Sequence, residues 1–77
     1  MPNKIIVIWE DIGSPIGYAY NYQGAIALMK EKKWFDEEGM VEEFGEHWFE
    51  KISRWDIESF NAEFEYAFYL EVADIYI

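Results

Sequence analysis

The sequence predicts an α+β fold, with an N-terminal β-hairpin and a C-terminal strand forming a small antiparallel sheet packed with two to three helices. Three observations carry that prediction. The segment Lys4-Ile5-Ile6-Val7-Ile8-Trp9 is rich in β-branched residues and bounded by polar ones. Tyr18, Tyr20 and Tyr22 then alternate with Ala19 and Asn21, the period of a half-exposed strand. Beyond Tyr22 the apolar period lengthens to that of a helix, and it shortens again near the C-terminus.

Taken in order, Lys4–Trp9 is the first strand and Ile16–Tyr22 the second. Asp11-Ile12-Gly13-Ser14-Pro15 forms the turn, where glycine tolerates positive φ and proline holds φ near −65°. A first helix follows over Tyr22–Trp34, with Asn21 as N-cap and Tyr22, Ala25, Ile26 and Met29 on its apolar face. Lys30, Lys32 and Lys33 fall in its last turn, where cations complement the helix dipole. Asp36, Glu37 and Glu38 then mark the start of a second helix. Its apolar stripe is Val41, Phe44, Trp48, Ile52 and Trp55, and Lys51 and Arg54 close it. Asp56 caps a third, short helix to about Glu63, with Ile57, Phe60 and Phe64 on one side. Phe68, Leu70 and Val72 alternate with Tyr69, Glu71 and Ala73, and Asp74-Ile75-Tyr76-Ile77 is β-like. A strand here would pair with the hairpin; the alternative extends the third helix to about Leu70.

Seventy-seven residues leave room for one core, so residues 1–77 are read as a single domain. Aromatic residues make up 21% of the chain, more than so small a core hides easily, so some are expected at the surface. The absence of cysteine excludes a disulfide framework and any thiolate metal site. The apolar run ending at Trp9 is too short for a secretion signal or a membrane span, and no small-residue cleavage site follows. The expected location is the cytoplasm.

The net charge of −10 is unevenly spread. Residues 1–35 carry four lysines against three acids, whereas residues 36–77 carry thirteen acids against Lys51 and Arg54. This balance disfavours nucleic acid or an anionic membrane as a direct partner and favours a basic protein. The densest stretch holds seven acids, Asp36, Glu37, Glu38, Glu42, Glu43, Glu46 and Glu50, with no lysine or arginine among them. On one continuous helix, Glu42–Glu46 and Glu46–Glu50 are like-charge i,i+4 pairs, each destabilising by roughly 0.2–0.5 kcal/mol. A solvated helix face is the simpler explanation, but such faces ordinarily intersperse basic residues. A rigid carboxylate array instead suits the Arg/Lys-lined channel of a nucleic-acid enzyme. Glu58, Glu63 and Glu65 stand in reserve.

Beside the acids, Phe35 and Phe49 are candidate apolar anchors, with Tyr18 and Tyr20 on the hairpin as a second contact surface. Against this, Trp34-Phe35 and Trp48-Phe49 also fit two sides of one core. His47, flanked by Glu43 and Glu50 at helical spacing, is a partial metal site at best, so neither a metal nor a cofactor is expected. The chain lacks a cysteine nucleophile, a phosphate-binding glycine loop and a Gly-x-Ser-x-Gly elbow, which argues against an enzyme.

In size and acidity the chain resembles the small proteins with which bacteriophages disarm host defences, anti-CRISPR and anti-restriction DNA mimics among them. That likeness rests on size and charge, not on a motif. It implies an inhibitor acting in a bacterial host cell on the basic site of a nucleic-acid-handling enzyme. Two alternatives stand beside it: an immunity protein or antitoxin neutralising a basic nuclease, and a homo-oligomeric regulatory module, such as a homodimer, that buries its spare aromatics against itself.

Overall fold

The computed structural model describes residues 4–10, 13–65 and 67–74. The N-terminal segment forms strand β1 (Lys4–Glu10), and β2 (Pro15–Ala19) returns antiparallel to it. The C-terminal strand β3 (Phe68–Asp74) pairs antiparallel with the other side of β1, so the order is β2-β1-β3. The most β-branched segment is therefore central. Its Ile6 and Ile8 are buried on one face, level with Val72 and Leu70 of β3. Glu10 N–H donates to Ser14 O at 3.0 Å and Gly13 N–H to Glu10 O at 2.9 Å, which closes the hairpin. Asp11 and Ile12 of the predicted turn, and Ile75–Ile77 at the C-terminus, lie outside the described residues.

Strand β2 stops earlier than the tyrosine alternation predicts. The Asn21 carboxamide accepts the Gly24 N–H at 2.7 Å, and this cap commits Tyr22 to a helix. Tyr20 and Asn21 become a bend. Helix α1 (Tyr22–Glu31) buries the predicted face of Tyr22, Ala25, Ile26 and Met29. It ends in a Schellman arrangement, with Trp34 N–H bonded to Met29 O at 3.0 Å and Lys33 N–H to Lys30 O at 3.1 Å. Lys33 takes φ 60°, the left-handed position usually filled by glycine, so only Lys30 lies in the last helical turn.

The second predicted helix is in fact two, α2 (Glu37–Phe44) and α3 (Trp48–Ser53). Gly45 breaks it at φ 96°, donating its N–H to Val41 O at 2.8 Å, and Lys51 Nζ reaches back to Phe44 O at 2.9 Å. Glycine in a left-handed conformation ends helices cheaply, and a cation over the last carbonyls reinforces the stop. The apolar stripe runs past the break because both pieces face the same core. The break also rotates α2, so Met40 is buried while Val41 is 39% exposed. Helix α4 (Ile57–Glu63) starts at its predicted cap, where Asp56 accepts the Ser59 N–H at 2.8 Å. It stops at Glu63, and the chain turns into β3. Among the described residues the helices number four rather than two to three.

Phe35, in the connection between α1 and α2, is 7% exposed and sits among Trp48 of α3, Phe60 and Phe64 of α4, and Phe68 of β3. Its ring centroid is 5.5–6.5 Å from each of theirs, mostly edge to face. Across the core the Tyr22 hydroxyl donates to Ile52 O at 2.6 Å, tying α1 to α3. Burial, then the negative charge of Asp56, pushes that phenol up to about 12.

Both edges of the sheet are blunted. Strand β2 is short, begins with proline and faces an irregularity between Ile8 and Trp9. On β3, Asn61 of α4 grips Leu70 from the side, its Nδ2 donating to Leu70 O at 2.9 Å and its Oδ1 accepting Leu70 N–H at 2.8 Å. Phe68 N–H is likewise taken by Phe64 O at 2.9 Å. A side-chain amide thus occupies the place of a fourth strand.

Two stability predictions follow from these contacts. Phe35→Ala should cost about 3–5 kcal/mol in urea denaturation, much of the stability of so small a domain. Asn61→Ala should cost about 1–3 kcal/mol by stripping partners from both polar groups of Leu70. In the Asn61 variant, amide exchange should quicken at Leu70 well before it does at Ile8.

Candidate functional site

The acids predicted as contacts are all exposed. Asp36 precedes α2, Glu37, Glu38, Glu42 and Glu43 lie on it, Glu46 lies in the break, and Glu50 is on α3. They reach solvent because α2 turns Met40 and Phe44 inward. One part of the expected electrostatics changes. With Glu46 outside both helices, Glu42–Glu46 and Glu46–Glu50 are not i,i+4 pairs, and the helix cost assigned to them does not arise.

Crowding of like charge occurs elsewhere. Glu43 of α2 meets Glu63 at the end of α4. A hydrogen bond to Glu63, then desolvation and the repulsion of the Glu63 charge, raise the Glu43 carboxyl above its ordinary value of 4.5. Glu63, held in reserve by the sequence reading, therefore belongs with the site. Glu43 also lines a groove of about 390 Å³ with Asp36, Met40, Phe64 and Phe68 among others. A groove of this kind takes the stem of a lysine or arginine on its apolar floor and the cationic head at its carboxylates.

Two of the neighbouring cations are committed to other contacts. Lys51 Nζ is bonded to Phe44 O, and Lys30 Nζ stands 4.4 Å from the centroid of Phe49 and 5.7 Å from that of Trp48. Among the described residues the ion pairs are Lys4–Asp74 and His47–Glu50, each at 3.7 Å. At the other end the separation of charge blurs, because Lys30 and Lys33 line an open cleft with Asp36 and Glu37. Among the described residues Glu42, Glu43 and Glu63 are in no ion pair.

The aromatic candidates divide. Phe35 is not an exposed anchor, since its ring is the centre of the aromatic core; the connection that carries it turns inward at the end of α1. Phe49 is half-buried, with Lys30 over its ring. Tyr18 and Tyr20 are exposed, 62% and 70%, but Tyr18 lies on the sheet face away from the helices. The structure does not join them to the acidic surface. Glu58 in the first turn of α4 and Glu65 beyond its end are exposed. His47 pairs with Glu50 while Glu43 turns to Glu63, so the helical spacing that suggested a shared site is lost with the helix break. Among the described residues no three His, Cys, Asp or Glu side chains are placed to hold a metal ion, and no helix is long and apolar enough to cross a membrane.

The same groups set the response to pH. Glu43 titrates above its unfolded value, so the folded chain takes up a proton first and gains stability as pH falls through that raised value toward 4.5. Asp56 behaves oppositely. Its bonds to Ser59 hold it below its ordinary 3.8, and the stability it contributes above that value is lost as pH falls through its lowered one. Thermal denaturation should therefore show stability rising as pH falls from neutrality toward 4.5, and declining below 3.8. Glu63→Gln should reduce the rise between neutrality and the maximum. Comparison with known proteins finds no matching family model, no match among curated proteins and no match among solved structures.

Proposed function

We propose that the protein is a binding protein that inhibits a nucleic-acid-handling enzyme by occupying its basic site with the acidic surface of α2 and α4. The observation that supports this reading is the Glu43 carboxyl, raised by its neighbour Glu63 and lining an apolar-floored groove, with neither acid in an ion pair with a lysine or arginine among the described residues. A lysine or arginine from a partner would relieve that repulsion on binding, so part of the unfavourable charge in the free protein becomes affinity in the complex. Glu42, Glu46 and the acids at the start of α2 extend the negative field around the groove. Such a field speeds encounter with a basic surface and weakens with salt. A phage-encoded anti-defence protein of the anti-CRISPR or anti-restriction kind fits this reading, and so does an immunity protein against a basic nuclease. Both are binding roles, and neither calls for catalysis or a cofactor.

The test is competition. Proteins captured from a bacterial lysate at low salt are purified and assayed for duplex DNA binding, with and without the acidic protein. The expected result is a nucleic-acid-binding partner whose DNA is displaced by the wild type. Displacement should fall at least about tenfold, ~1.4 kcal/mol, for the triple variant Glu42→Lys, Glu43→Lys, Glu46→Lys. Unchanged affinity of the triple variant, or partners without any nucleic-acid binding, would remove this reading.

A further inference from the structure

The groove between α2 and the turn from α4 into β3 has carboxylates at two places along an apolar floor. Asp36 and Glu43 are seven residues apart, two helical turns, so they share one face of α2 and stand about 10 Å apart along its axis. Met40 lies between them on that face, and Phe64 and Phe68 line the groove from the α4–β3 side. Gly39 leaves the same stripe open. A Cβ built on it would stand 2.8 Å from Asp36 Oδ2, so the carboxylate leans over this position. The floor is preformed. The Phe64 ring lies 4.6 Å from that of Phe60 and 5.9 Å from that of Phe35, centroid to centroid. Its carbonyl accepts the Ala67 and Phe68 N–H groups, each at 2.9 Å, which fixes the turn. Among the described residues neither Asp36 nor Glu43 is in an ion pair, and the Asp36 side chain makes no capping bond to α2. Lys30 and Lys33 line the neighbouring cleft with Asp36 but form no ion pair with it.

We infer that this groove binds a linear aliphatic diamine or polyamine, with its methylenes on the apolar floor and an ammonium group at each of Asp36 and Glu43. Charge and spacing together select the class. An anion is repelled from both acids. A wholly apolar ligand would cover two carboxylates without a counter-charge, at a desolvation cost. A compact cation, or one lysine or arginine side chain, meets one carboxylate and leaves the other, two turns away, unanswered. A flexible chain with a cation at each end answers both. Extended methylenes advance roughly 1.25 Å per bond, so about six to nine bonds bring the terminal nitrogens within hydrogen-bonding reach of the two acids. Aliphatic amines are protonated at neutral pH, as lysine is, and their bonds to carboxylates are charge-assisted. The methylenes gain by leaving water for Met40, Phe64 and Phe68, and a floor already in place spares the cost of ordering it. Glu63, against Glu43, adds a second negative group at that end, where a bound ammonium replaces repulsion with attraction.

The inference shares its groove with the acidic-surface reading but does not rest on it, because the amine is tested on the chain alone. Failure to displace DNA from a partner would leave the amine result standing, and the reverse holds too. The experiment is titration of the full chain with spermidine, followed by calorimetry and by methyl and aromatic chemical shifts. Titration with n-butylamine at equal ionic strength is the single-cation control. The expected result is one spermidine per chain, with shifts centred on Met40, Phe64 and Phe68 and affinity at least about tenfold above that for n-butylamine. Asp36→Asn and Glu43→Gln should each weaken spermidine at least about fivefold. Both should fold, since the Asp36 side chain caps nothing and loss of the Glu43 charge relieves its repulsion with Glu63. Gly39→Ala, whose Cβ displaces the Asp36 carboxylate while keeping its charge, should weaken spermidine as well. Glu58→Gln removes one charge outside the groove and should leave the affinity within about twofold, which separates a site from the general attraction of a chain of charge −10. No binding, equal affinity for n-butylamine, an equal loss in the Glu58 variant, or shifts centred away from the groove would overturn the inference.

Discussion

The packing of Phe35 is the contact on which the rest of the structure depends. Its ring joins α3, α4 and β3 at one point, and α2 begins two residues after it. Few side chains bring three elements together from a connecting segment. A chain of this length has little apolar surface to bury, and clustered aromatic rings supply much of it from few positions. Seating Phe35 inward pulls the start of α2 against the aromatic cluster, turns Met40 and Phe44 to the core, and leaves the acids of that helix in water. The candidate site is thus a consequence of how the core is filled.

Around that core the fold sorts its surfaces by chemistry. Acids gather on the helical layer, where Lys51 is occupied by a helix carbonyl and Lys30 by an aromatic ring. The outer sheet face is nearly free of charge.

Caps at chain ends of elements decided more of the fold than periodicity did. Asn21 ends β2 by starting α1, Asp56 starts α4, and Gly45 divides a stripe whose spacing alone describes one helix. The signal for the division was present in Gly45 itself, a glycine inside an otherwise strong helical pattern and followed by the polar pair Glu46-His47. The continuous stripe of Val41, Phe44, Trp48, Ile52 and Trp55 concealed it, because two short helices packed on one core bury residues at nearly the spacing of a single long one.

The sequence by itself determined the α+β class, the hairpin, the apolar face of α1, the caps at Asn21 and Asp56 and the pairing of a C-terminal strand, since each depends on local residue preference or a short-range period. It also determined that no lysine or arginine falls between Asp36 and Glu50. Only the tertiary structure decided that Phe35 is core, that Lys30 covers Phe49, that Asn61 closes a sheet edge, and that Glu43 meets Glu63. These join residues far apart in the chain or depend on the rotation of one helix against another. Neither periodicity nor composition carries that information, because contacts of this kind are set by how all the elements fill one small core at once.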